Sequence, residues 1–233
     1  MNKEVFKINN IPAILWGDKS TKLIIAVHGN MSNKADVPIE MLANVATNSG
    51  YQILSFDLPQ HGDRKDEDTL CKVVPCVNDL TEVIKYAKSK WQNISLFANS
   101  IGAYFSLLAY KNENLQHAWF LSPVVDMNRL ISNMMMWFNV SEEKLEQEKE
   151  IPTPIGQILY WDYYCYVKEN PIEKWDVPTH ILYGEKDDTC EFDTIKNFTE
   201  RFNCDLKIVP GGEHYFHTEE QLKILEDWFD KTI

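Results

Sequence analysis

A serine alcohol becomes a useful nucleophile only when a neighbouring base takes its proton and an acid holds that base in the right tautomer. Asn93-Ile94-Ser95-Leu96-Phe97-Ala98-Asn99-Ser100-Ile101-Gly102-Ala103-Tyr104 reads as an apolar strand that turns sharply into a helix, with Ser100 at the corner. Small residues must flank such a turn, because larger side chains would strike the adjoining strand and helix, and Ala98 and Gly102 meet that need. The first helical turn leaves its amides without backbone acceptors, so the N–H of Ile101 can face an oxygen that gains negative charge during acyl transfer. The same residues also describe a serine that only caps a helix.

Candidates for the acid and the base come later in the chain. After the apolar run His180-Ile181-Leu182-Tyr183 stands Gly184-Glu185-Lys186-Asp187-Asp188, and after the run ending at Val209 stands Pro210-Gly211-Gly212-Glu213-His214. Both segments lie past the C-terminal ends of expected strands, the edge at which open α/β sheets bind ligands. Asp187 and Asp188 are both available as the acid. As base, His214 competes with His217. The Gly211-Gly212 pair permits a sharp loop that carries the imidazole of His214 back over the sheet, whereas His217 adjoins the start of the last helix. His61, His117 and His180 carry no special signal. The six histidines show no metal-ligand spacing, and neither a metal nor another cofactor is expected.

Positioning these groups falls to a series of short apolar runs with helical segments between them, the pattern of an α/β sheet. The expected strands are 5–8, 13–16, 23–27, 52–56, 94–97, 118–121, 180–183 and 206–209. From the third onward most are too uniformly apolar for a half-exposed strand and suit parallel strands covered on both faces. The first two are shorter and more polar, and are expected antiparallel at an edge. Helices are expected over 38–48, 69–89, 101–111, 191–202 and 218–230, the last with one apolar stripe of Leu222, Leu225, Trp228 and Phe229. Between Asp126 and Asp176 the alternation fails: Met134-Met135-Met136-Trp137-Phe138, an acidic helix and Tyr160-Trp161-Asp162-Tyr163-Tyr164 read as an insertion.

With 233 residues, 44% of them hydrophobic, the chain can bury one large core but is short for two domains. A net charge of −12 disfavours nucleic acid and anionic membrane surfaces as partners. No signal peptide and no membrane-length apolar run is seen, so a soluble cytoplasmic protein is expected. The five cysteines, Cys71, Cys76, Cys165, Cys190 and Cys204, form no paired motif and read as reduced packing residues. Cys71 and Cys76 are the one close pair, without a redox motif.

Taken jointly, five features resemble the α/β-hydrolase family, closest to its small serine esterases and monoacylglycerol-lipase-like enzymes: His28-Gly29-Asn30, Asp57-Leu58-Pro59-Gln60-His61-Gly62, the serine turn, Gly184 to Asp187, and Gly212-Glu213-His214 before a terminal helix. The resemblance covers nearly the whole chain, and its order of Ser, Asp, His matches that family. It implies a mostly parallel, doubly wound α/β-hydrolase sheet formed by residues 1–125 and 177–233, with 126–176 as a helical cap. It also implies Ser100 as nucleophile, His214 as base, Asp187 (by the Gly-x-x-Asp spacing) as acid, and the amides of Asn30 and Ile101 as oxyanion donors. His28 and the Asp57 loop take structural roles. The expected activity is hydrolysis of a small or medium acyl ester without a cofactor. Acyl transfer, thioester or peptide cleavage, and ligand binding without turnover are the alternatives. In the cap, Met134, Met135, Trp137, Phe138 and Trp161 either wall an acyl site or form the cap's own core. Two departures stand out: Ala98 replaces the first glycine of the usual G-x-S-x-G, and Gln60 stands where the loop after the fourth strand usually has glycine.

Overall fold

Apolar runs without polar alternation need cover on both faces, and that demand organises the molecule. The computed structural model describes residues 1–233. In chain order the elements are β1 (Lys3–Ile8), β2 (Ile11–Trp16), β3 (Lys22–Val27), α1 (Val37–Asn48), β4 (Tyr51–Phe56), α2 (Val73–Lys88), β5 (Asn93–Asn99), α3 (Ile101–Tyr110), β6 (Ala118–Leu121), α4 (Met127–Trp137), α5 (Glu142–Glu148), β7 (Glu150–Pro152), β8 (Ile158–Tyr160), α6 (Trp161–Glu169), β9 (Thr179–Gly184), α7 (Phe192–Phe202), β10 (Asp205–Val209) and α8 (Glu219–Thr232). Eight strands form one sheet in the order β1-β2-β4-β3-β5-β6-β9-β10. β1 pairs antiparallel with β2, and β2 with β4; every other pairing in this sheet is parallel. The fold class expected from the sequence is therefore the one observed, with the more polar N-terminal strands at one edge.

Strand β3 shows how the two faces are filled. Side chains alternate across a strand, so Leu23, Ile25 and Val27 enter one apolar cluster while Ile24 and Ala26 enter another. The first cluster gathers side chains from α2, α3 and α7; the second gathers those of α1 and α8. Residues 126–176 hold α4, α5, the β7–β8 hairpin and α6. Their buried residues Ile131, Met135, Leu145, Leu159 and Tyr164 continue the first cluster without a break.

Local chemistry sets the element ends. α1 starts where Asp36 accepts from the Ile39 amide, α4 where Asp126 accepts from Arg129, and α8 where Thr218 and Gln221 cap each other reciprocally. α2 begins at Val73, later than the expected Thr69. Proline lacks an N–H and is tolerated only in a first helical turn, so Pro75 moves the start downstream.

Gly102 decides how closely α3 seats on the sheet. A Cβ there would lie 2.5 Å from the His28 carbonyl oxygen and 2.8 Å from that of Val27, both backbone atoms that cannot swing away. Gly102→Ala is expected to lower the unfolding free energy by about 1–3 kcal/mol. Urea titration reads the change, and a loss below about 0.5 kcal/mol would mean that α3 can back off the sheet freely.

Candidate active site

Ser100 sits between the end of β5 and the start of α3 with φ 51° and ψ −120°, a left-handed conformation that costs a side-chain-bearing residue about 1–3 kcal/mol. Backbone bonds on both sides hold it there. Its N–H donates to the Leu121 carbonyl (3.1 Å), and its own carbonyl accepts from Ala103 (3.1 Å) and Val124 (3.0 Å). Ala98 is fully buried within β5, opposite Val27 on one neighbour and Phe120 on the other. An extended strand residue needs no glycine freedom, which accounts for alanine at that point of the motif.

The structure brings together the three side chains that sequence reading selected. Ser100 Oγ donates to His214 Nε2 (2.9 Å), and His214 Nδ1 donates to Asp187 Oδ2 (2.7 Å). The Asp187 carboxylate is fully excluded from solvent, and its other oxygen accepts from the amides of Thr189 (2.9 Å) and Cys190 (2.8 Å). Three fixed donors thus satisfy this buried carboxylate, which fixes its direction as well. Asp188, one residue on, is exposed and makes only a long contact with Thr189 Oγ1 (3.4 Å). His217 is exposed, stacks on Tyr215 and turns its Nδ1 to the Tyr215 carbonyl.

Two loops from different strands must meet for this to happen. Lys186 donates to the Gly212 carbonyl (2.7 Å), and the Gly211 amide donates to Glu185 Oε2 (2.8 Å). They approach so closely that a Cβ on Gly184 would stand 2.5 Å from the Glu213 carbonyl oxygen and 2.6 Å from Gly212 backbone atoms. Asp187, Cys190 and His214 offer potential metal-ligating atoms within 4.8 Å of one another. Both His214 ring nitrogens are already committed, to Ser100 and to Asp187.

On the other side of Ser100 lies the segment that carries Asn30. Gly29 packs against the serine, since a Cβ on it would be 3.1 Å from Ser100 Cβ. The amides of Asn30 and Ile101 donate to no protein acceptor. Side chains from the β4–α2 connection and from His28, the residue after β3, brace this segment. His28 is fully buried; its Nδ1 donates to the Gly29 carbonyl (2.7 Å) and its Nε2 accepts from the Leu58 amide (3.0 Å). Burial lowers its pKa to about 4, only partly offset by the bond to Gly29. His61, which gives no signal in the sequence beyond its place in the Asp57 motif, proves to be a brace too. Its Nε2 accepts from the Met31 amide (3.1 Å), its Nδ1 donates to the Pro59 carbonyl (2.8 Å), and its ring centre lies 5.2 Å from that of His28.

Asp57 is fully buried and accepts from the Lys34 amide (2.8 Å), Lys34 Nζ (2.6 Å) and the Asp63 amide (2.9 Å). Burial works to lower the Lys34 pKa, but hydrogen bonds to Asp57 and Asp63 outweigh it and hold the ammonium above its ordinary value. Gln60 adopts φ 61°, the conformation that glycine serves at that place, and its side-chain oxygen accepts from the Cys71 amide (3.1 Å).

The five cap residues fare differently. Met135 is buried in the core. Met134, Phe138 and Trp161 are half-buried against that core, and Trp137 is half exposed. A cavity of about 280 Å³ is lined among others by Tyr104, Val125, Met127, Val167 and Phe198, and neither the Ser100–His214–Asp187 set nor any of the five cap residues lines it. Tyr104 stands one turn beyond Ser100 on α3, and Val125 follows the residue that bonds the Ser100 carbonyl.

No protein-family model and no curated protein matches the sequence. Solved structures do match in shape. The esterase Est1E from Butyrivibrio proteoclasticus superposes with a TM-score of 0.78 over 99% of this chain and 97% of its own, at 19% identity. Alpha/beta hydrolase domain-containing protein 10 from mouse gives 0.78 over 99% and 98%, at 15% identity. The esterase Pf2001 from Pyrococcus furiosus gives 0.68 over 99% and 88%, at 18% identity. At such identities the likeness establishes architecture: the chain has the α/β-hydrolase fold.

His28 couples this bracing to pH. Its pKa is about 4 when folded against 6.5 as the ordinary value, so below 6.5 the unfolded chain takes the proton first. The stabilisation is complete above that value and is lost as pH falls toward the folded pKa, by up to about 3 kcal/mol. Chemical denaturation of wild type and His28→Gln across this window should show the gap between them closing as pH falls. A gap that stays constant would contradict the assignment.

Proposed function

We propose that the protein is a serine hydrolase acting on carboxylic esters through an acyl-enzyme. One observation carries the reading: a continuous relay from Ser100 through His214 to a solvent-excluded Asp187, set beside two amides, of Asn30 and Ile101, that have no acceptor of their own. Ser100 Oγ attacks the ester carbonyl carbon while His214 Nε2 takes its proton. Asp187, charged and immobile, steadies the imidazolium, and the two amides receive the oxygen as it becomes negative. His214 then gives the proton to the departing alcohol. In the second half it takes a proton from water, which attacks the acyl carbon and releases the acid.

The esterases among the structures of like shape support ester cleavage, and a thioesterase domain from the curacin biosynthetic pathway, with a TM-score of 0.60 at 14% identity, supports the wider class of acyl chemistry. Residues 126–176 serve as the cap, and Met134, Trp137, Phe138 and Trp161 are its candidates for acyl contact. No helix is long and apolar enough to cross a membrane.

A fluorophosphonate probe should label wild type and leave Ser100→Ala unlabelled, with both proteins folded by circular dichroism. Equal labelling of the two would remove Ser100 as nucleophile. Asp187→Asn should lose roughly 10⁴-fold in kcat, the size known for a triad acid elsewhere, while Asp188→Asn stays near wild type. The reverse pattern would transfer the acid to Asp188. Across p-nitrophenyl esters of rising acyl length, kcat/KM should pass through a maximum, and indifference to length would exclude an acyl wall in the cap.

A further inference from the structure

Away from the triad, two thiols face each other. Cys71 lies in the irregular segment before α2 and Cys76 in the helix itself; their sulfurs are 3.6 Å apart, hydrogen-bonded and not joined by a disulfide. A disulfide has a sulfur separation of about 2.05 Å, so closure needs a movement of roughly 1.5 Å. Cys71 is free to make it. Its N–H is held by the Gln60 side chain, not by helical backbone. Its carbonyl would look for a helical donor at Pro75, which has no N–H to give.

The two thiols are also unlike, as an attacking and a resolving cysteine must be. Cys76 is fully buried, and that burial, reinforced by Cys71, pushes its thiol up. Cys71 is half-buried, and the hydrogen bond with Cys76 draws its thiol down against the opposing effect of burial, with smaller help from His61 and Arg64. Burial raises the other three thiols, Cys165, Cys190 and Cys204. His61 links this pair to the site. It follows Gln60, whose side chain holds the Cys71 amide, and its Nε2 holds the Met31 amide next to Asn30; burial works to lower its pKa, but Cys71, the Pro59 carbonyl and Asp57 together raise it.

We propose that Cys71 and Cys76 are a peroxide-oxidised dithiol whose closure to a disulfide is transmitted through His61 to the segment that carries Asn30. The Cys71 thiolate attacks one oxygen of hydrogen peroxide, the O–O bond breaks, and hydroxide leaves to be protonated to water. Cys71 is then a sulfenic acid. Cys76 gives up its proton and attacks Cys71 Sγ, the S–O bond breaks, and a second water departs. Two thiols have lost two electrons and two protons, and one peroxide has become two waters. The displaced Cys71 draws on the Gln60 side chain that holds its amide, Gln60 shifts the adjoining His61, and the bond from Met31 loosens. The dithiol chemistry stands apart from the hydrolase reading; only the consequence for turnover rests on it.

The test uses the reduced full chain and stoichiometric hydrogen peroxide. Intact mass should fall by about 2 Da, the two hydrogens lost, with peptide mapping placing the bond at Cys71–Cys76 and dithiothreitol reversing it. Cys76→Ser should stop at a sulfenic acid on Cys71 that dimedone captures, and Cys71→Ser should give neither product at the same dose. Because a buried substitution can disturb folding, limiting iodoacetamide on wild type gives a second reading, in which Cys71 is alkylated ahead of Cys165 and Cys204. Hydrogen exchange, independent of any activity, should be faster over residues 29–33 in the oxidised protein. Oxidation that begins at Cys165 or Cys204, or a mass loss that persists in Cys71→Ser, overturns the dithiol. Unchanged exchange over residues 29–33 overturns its transmission to the site.

Discussion

The geometry of the site hangs on one residue held in a conformation it would not choose. The left-handed backbone of Ser100 lifts its hydroxyl off the end of β5 and points the first amide of α3 toward the same space. Such a conformation survives only where its surroundings over-determine it. Here the strand before it is locked between β3 and β6, the helix after it is seated through Gly102, and the serine's own N–H and carbonyl are bonded to Leu121, Ala103 and Val124. The parallel sheet therefore does more than provide a core. It is the frame stiff enough to hold a strained serine.

With that corner fixed, the rest is a problem of bringing remote side chains to it. β9 and β10 are adjacent and parallel, so their C-terminal loops leave the sheet side by side. The bonds between the Glu185–Lys186 and Gly211–Gly212 segments convert this adjacency into a fixed distance between an acid and an imidazole. Burial of Asp187 then has two effects. It raises the cost of leaving the carboxylate unpartnered, and it strengthens the field that the carboxylate exerts on His214. The amides of Thr189 and Cys190 meet that cost, so the carboxylate stays available to orient the ring.

Much of this was legible in the chain. The strands announced themselves as apolar runs too uniform for half-exposed positions, and Ser100, Asp187 and His214 by their places just past strand ends. Choosing Asp187 over Asp188 depended on the motif spacing of a resembling family, since neither residue differs in local chemistry. What resisted reading was set by contacts between distant segments. The β7–β8 hairpin pairs strands of only three residues, too short for any alternation to register. Met134 and Met135 are neighbours of one type, and only packing divides them into a half-buried and a buried side chain. His61 looks like an ordinary loop histidine until the fold sets it under Met31.

The bracing of the Asn30 segment explains why polar residues are buried beside an otherwise apolar core. In the role proposed for Asn30, its N–H must stay aimed at a point without being satisfied there, so the hydrogen bonds that fix it have to attach to its neighbours. His28 bonds the carbonyl of Gly29, His61 the amide of Met31, and Asp57 the amide of Lys34, leaving the Asn30 amide between them unpaired. Hydrophobic contacts could not do this, because they lack direction. The cost is a buried ion pair and two enclosed imidazoles, each tolerable only while its partners remain in place. A segment held this way is stiff against thermal motion yet answers to chemistry at its supports, and the proposed dithiol acts on it there, through Gln60 and His61.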